Sequence, residues 1–100
     1  MHAWFIYVPT TDNGDRAVDV ACLKIDALEV FRGLTVHPRV TGFWTSPDTG
    51  ARYVDTLEPF EVATDDPEAV RAFARAVARR AAQEAVYVRG PDGSVELVTP

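Results

Sequence analysis

Cysteine is almost missing from this 100-residue chain: Cys22 stands alone. No internal disulfide can form, and a reducing, cytoplasmic setting is the expectation. Long apolar runs are missing too. No window approaches the roughly 18–20 consecutive apolar residues of a membrane span, so no membrane partner is expected. The opening Met1-His2-Ala3-Trp4 leads straight into strand-like sequence, which argues against a secretory signal. Positive charge is scarce, with 10 Lys and Arg against 15 Asp and Glu and a formal net charge of −5. Nucleic acid is therefore an unfavoured partner, because phosphate neutralisation needs a basic surface.

Metal and cofactor signals are equally thin. His2 and His37 are the only histidines, and neither is spaced from a cysteine or carboxylate as in a zinc motif, so no metal site is expected. The glycines are dispersed, with no phosphate loop or dinucleotide fingerprint, and no cofactor is expected. Ser46 and Ser94 fall in turns without an identifiable base. Cys22 falls inside a helical stretch with no cation evidently placed to activate it.

What is present is a chain that is 47% hydrophobic, 10% aromatic and 25% charged. That excludes disorder and fits a single domain over residues 1–100. Ala3-Trp4-Phe5-Ile6-Tyr7-Val8 has strand composition, ended by Pro9 and the turn chemistry of residues 10–15. Ala17, Ala21, Ile25, Leu28 and Phe31 recur at helical spacing, predicting a helix over 16–32 closed by a left-handed Gly33. Residues 34–46 return to strand character, interrupted by Pro38. A turn at Ser46-Pro47-Asp48-Thr49-Gly50 leads into a return strand over 51–64, where Pro59 predicts a bulge or an exposed edge.

The second helix has the clearest start: Asp66 as cap, Pro67 in the first turn, Glu68 at the positive dipole end. Its apolar stripe is Val70, Phe73, Val77 and Ala81, widened by Ala74 and Ala78. Arg71, Arg75 and Arg79 lie nearly opposite and read as a solvated face partly answered by Glu68. A strand over 85–88 and a short one over 95–98 close the chain.

The order strand, helix, strand, strand, helix, strand predicts an α+β, ferredoxin-like two-layer sandwich: an antiparallel sheet with two helices on one face, plus a short C-terminal strand. Alternation assigns Trp4, Ile6, Val8, Val54, Val62, Val86 and Val88 to the helix side. Phe5, Tyr7, Tyr53, Asp55, Tyr87 and Arg89 go to the open side. An aromatic surface of that kind is costly to leave wet, and it marks a partner or ligand site.

The segments Gly33-Leu34-Thr35, Gly42-Phe43-Trp44, Tyr53-Val54-Asp55, Phe60-Glu61-Val62-Ala63 and Gln83-Glu84-Ala85-Val86-Tyr87 resemble a family of small, uncharacterised bacterial proteins. Tyr7-Val8-Pro9-Thr10-Thr11-Asp12-Asn13 is similar to that family's first strand and loop. Ala82 departs from it, standing where an aromatic commonly precedes the Gln-Glu pair. The resemblance spans most of residues 4–89 and implies a fold but no catalytic residue. The layout is also similar to dimeric α/β-barrel proteins, whose ferredoxin-like subunits pair sheet to sheet.

Among carboxylates on or beside strands (Asp55, Glu58, Glu61, Glu84), Asp55 and Glu84 are the foremost acid–base candidates. Tyr53 or Tyr87 would serve as proton donor, and ion pairing to Arg52 or Arg89 is the competing explanation. His37 is the better placed histidine. Phe5, Tyr7, Trp44, Tyr53, Tyr87 and Arg89 are the candidate binding or interface residues. Two functions are carried forward. The first is a non-enzymatic homo-oligomeric interaction module, self-associating or meeting a protein partner through the open face. The alternative is a small ligand-binding protein or enzyme with a pocket on that face.

Overall fold

The computed structural model describes all 100 residues. The elements are β1 (His2–Pro9), α1 (Val20–Phe31), β2 (Thr35–Val36), β3 (Val40–Thr45), β4 (Arg52–Thr64), α2 (Pro67–Arg80), β5 (Val86–Arg89) and β6 (Val95–Val98). The antiparallel sheet runs β2-β4-β1-β5-β6, and β3 follows β2 along the same edge of β4. Both helices cover one face of a ferredoxin-like two-layer sandwich. Ile6, Val8, Phe60, Val62, Val86, Val88 and Val98 meet Val20, Leu23, Ala27 and Phe31 of α1 and Val70, Phe73, Ala74, Val77 and Ala78 of α2 in one buried cluster.

The first helix starts four residues later than its composition suggests. Asp12 Oδ1 accepts the backbone N–H of Gly14 and of Arg16, and Thr11 bridges Ala17 in an antiparallel pair. Asp12 N–H also donates to Arg16 O at 2.8 Å and Val18 N–H to Thr10 O at 2.9 Å, so the carbonyl that would close the first turn of a helix from residue 16 is already engaged. Asp19 then caps α1 by accepting the Cys22 N–H at 3.0 Å. The buried stripe is Val20, Leu23, Ala27 and Phe31, whereas Ile25 and Leu28 are 59% and 47% exposed and Ala21 also faces outward. α1 carries apolar residues on two sides, so two stripes share Phe31 at helical spacing, and packing against the sheet selects between them. At the far end Arg32, not Gly33, takes the left-handed conformation (φ 68°) and donates its N–H to Leu28 O. Cys22 has a cation after all: Arg80 Nη1 approaches its Sγ at 3.5 Å and Asp26 at 3.1 Å.

Pro59 forms neither a bulge nor an exposed edge. It is buried in the middle of a continuous register, opposite Tyr7. Its carbonyl accepts the His37 N–H at 3.0 Å, which shows that the missing proline donor points toward residues 37–39, the break between β2 and β3. The ladder is interrupted where no donor exists.

α2 follows its sequence signals closely. Asp66 accepts from the N–H groups of Glu68 and Ala69, Pro67 opens the helix, and the whole expected stripe is buried. Arg71 grips both oxygens of Glu96 on β6 and reaches Glu68. These contacts hold the Glu96 carboxyl below its usual range. Asp66→Ala should lower stability by about 1 kcal/mol, read as a shifted urea midpoint with unchanged slope, because two helix-end donors lose their acceptor.

Candidate functional site

β4 is long enough to serve two structures. Its second half, from Leu57 onward, pairs with β1, while residues 52–56 pair only with β3, and Leu57 has a ladder partner on each side. The β3 hairpin is therefore an arm extending past the end of β1. Val54, expected on the helix side, is 66% exposed because the arm reaches beyond the helices.

The arm tip is tied down. Ser46 is 1% exposed; its hydroxyl donates to Glu84 Oε2 at 3.0 Å and accepts the backbone N–H groups of Asp48 and Thr49. Glu84 thus anchors the arm to the segment between α2 and β5 and forms no pair with Arg52 or Arg89. Ser46 does have a carboxylate neighbour, but three hydrogen bonds, two within the turn and one to Glu84, commit its hydroxyl to structure.

Between arm and sheet lies a cleft of 450 Å³. Its sheet side carries Tyr7 and Tyr87, whose rings meet edge to face at 5.1 Å and 90°. Leu97, the ladder partner of Tyr87, extends that wall. From the arm come Val40, Trp44, Asp55 and Leu57. Tyr53 stacks behind Trp44, with centroids 5.3 Å apart and planes at 24°. Gly42, opposite Asp55, lets the Leu57 side chain lie across β3: a Cβ there would come within 2.9 Å of Leu57 Cδ1.

Thr41, Gln83 and Asp55 break this apolar lining. Gln83 is buried, and its amide nitrogen donates to Thr11 O and Ala81 O at 3.2 and 3.3 Å. With those donors committed, its carbonyl oxygen is left as an acceptor at the wall. Asp55 is the one carboxylate of the lining. Burial raises its pKa above the ordinary 3.8, and the Trp44 side chain, by hydrogen bonding to the charged form, offsets part of that rise.

The structure thus gathers Tyr7, Trp44, Asp55 and Tyr87 into one cleft, with Tyr53 in support. It places Phe5, His37 and Arg89 in an adjoining cluster. The Arg89 guanidinium sits 4.6 Å from the Phe5 ring centroid, the His37 ring lies 5.4 Å from it on another side, and His37 Nε2 meets Glu61 Oε1 at 2.7 Å. Glu58 turns to the helix side, where Lys24 lies 3.6 Å from Oε2. Leu57 and Gln83 were not singled out from the sequence. Leu57 had a signal, since it sits two residues beyond Asp55 on the same strand face. Gln83 had none, because its role depends on where the chain turns after α2.

No protein-family model matches the chain, and no curated protein matches it in sequence. Solved structures do. The chain is similar to a phage SAM lyase in complex with S-methyl-5′-thioadenosine, with a TM-score of 0.75 and 13% identity, covering 98% of this chain and 88% of that one. The apo state of phage SAM lyase gives 0.64 and 14% over the same shares. At such identity the likeness establishes the fold. It also corrects the expectation of a non-enzymatic interaction module: these structural neighbours are enzymes of nearly the same extent, and the aromatic face expected to meet another subunit is here built into a cleft with a carboxylate in its wall.

Proposed function

We propose that this chain is a small enzyme that binds an S-adenosyl sulfonium nucleoside in the cleft between the β3 hairpin and the sheet and cleaves it beside the sulfur. The carrying observation is the pairing, in one 450 Å³ space, of aromatic rings with a single partly buried carboxylate. Ring faces accept both a purine, by stacking, and a cation, through the ring quadrupole. Asp55 supplies negative charge for the sulfonium and an acceptor for ribose hydroxyls, and the Gln83 carbonyl can accept from an exocyclic amine. The solved lyase of the same fold holds S-methyl-5′-thioadenosine, which S-adenosylmethionine yields when the bond between sulfur and its amino-acid arm breaks. The bonding pair passes to sulfur, and an oxygen of the arm's own carboxylate bonds to the carbon released, closing a lactone. Sulfonium and carboxylate charges then vanish together, a change that an apolar wall favours.

Calorimetric titration tests the reading. S-Methyl-5′-thioadenosine should bind with one site per chain, and incubation with S-adenosylmethionine should release that nucleoside. Trp44→Ala should weaken nucleoside binding about 10-fold or more, since stacking on an aromatic ring contributes roughly 1–3 kcal/mol per base. A chain that leaves S-adenosylmethionine intact and binds neither nucleoside does not have this function.

A further inference from the structure

Resting on the function proposed above, we propose that Arg89 forms a carboxylate subsite at the rim of the cleft, taking the acidic end of a ligand whose rings lie against Tyr7 and Tyr87. The register carries the argument. Arg89 pairs with Phe5 across β1 and with Val95 across β6, so neither ladder neighbour offers an acid. Every nearby carboxylate has another partner: Glu61 holds His37, Glu96 holds Arg71 from the helix side, and Asp92 accepts from the Ser94 N–H and hydroxyl. Arg89 is half-buried and engages no carboxylate; its contact is the face of Phe5, at 4.6 Å.

The guanidinium carbon sits over the ring and its N–H groups make no hydrogen bond within the chain, which leaves free the planar fork that grips a carboxylate with two parallel hydrogen bonds. The Phe5 ring, itself packed against His37, fixes the fork in place. Arg89 stands two residues along β5 from Tyr87, about 6.6–6.8 Å at strand rise, on the same sheet face. A ligand with its rings at the tyrosine pair and an amino-acid arm running along β5 would bring its carboxylate to that edge. The subsite therefore assigns direction: the nucleoside end lies under the arm, and the amino-acid end lies toward Phe5 and Arg89.

The test compares S-methyl-5′-thioadenosine, which has no carboxylate, with S-adenosylhomocysteine, which has one and carries no sulfonium. The wild-type chain should bind S-adenosylhomocysteine about 10-fold or more tighter, the range expected for charge-assisted hydrogen bonds. Arg89→Gln should erase that preference and leave S-methyl-5′-thioadenosine affinity unchanged, which also shows that the variant is folded; Arg89→Lys should restore part of it. Equal affinities in the wild type, or an equal loss for both ligands in Arg89→Gln, overturn the subsite alone. An Arg89-dependent preference for adenosine 5′-monophosphate over adenosine, with none for S-adenosylhomocysteine, overturns the carboxylate in favour of a phosphate. Failure of the wild type to bind either nucleoside overturns the subsite together with the proposed function.

Discussion

Phe60→Ala should destabilise the protein by about 3–5 kcal/mol, a large share of the roughly 5–15 kcal/mol that holds a domain of this size folded. Phe60 is fully buried, sits opposite Ile6 on β1 and Val36 on β2, and is among the largest side chains with no exposed surface. Removing its ring leaves a void between sheet and helices that neighbouring strands cannot close without breaking the ladder on either side of β4. Urea unfolding reads this as a lowered midpoint with little change in slope. Phe43 supplies the control. It is 77% exposed on the arm, so Phe43→Ala should move the midpoint by less than about 0.5 kcal/mol. Similar losses at the two sites would mean that the core does not lie where the fold places it.

Asp55→Asn should reduce kcat/KM for S-adenosylmethionine cleavage by about 10–100-fold, the cost of a charged hydrogen-bonding partner in a partly buried site. The pH dependence carries the diagnostic sign. Activity of the wild type should fall with acidification at a pH above the ordinary 3.8, because burial raises the pKa of this group, and the asparagine variant should lose that acid limb. Stability should move the other way. The folded state holds this proton more tightly than the unfolded chain, so ionised Asp55 opposes folding above its raised pKa, and the opposition disappears below 3.8. Asp55→Asn should therefore raise Tm at neutral pH, with the difference closing as the pH falls. A variant that keeps both full turnover and the acid limb would remove Asp55 from the site.

Much of the architecture was legible because local and global signals agreed. Asp66, Pro67 and the Val70–Phe73–Val77 spacing define α2 without reference to the rest of the chain, and alternation along β1 alone separates Ile6 and Val8 from Phe5 and Tyr7. The misreadings arose where tertiary partners decide. Ala17 and Ile25 fit a helical period as well as Val20 and Leu23 do, and the bonds that Asp12 N–H donates to Arg16 O and Val18 N–H donates to Thr10 O delay the helix. Pro59 reads as a defect until the gap between β2 and β3 is known to lie beside it. The site was legible as a face but not as a cleft. Tyr7, Trp44, Asp55 and Tyr87 are visible from parity and composition, yet the arm that encloses them is held by the contact of Ser46 with Glu84, 38 positions apart in the chain.

The division of labour along β4 bears on how such a protein can change. Residues 57–64 are locked into the ladder with β1 and Thr56 O accepts from Thr10, whereas 52–55 pair only with their hairpin mate. Substitutions over 40–55, the Ser46 anchor aside, can therefore redraw the wall facing a ligand while the packed layers are conserved beneath it. One scaffold can be retooled for different small molecules by editing a single peninsula of sequence, with the foundation inherited unaltered.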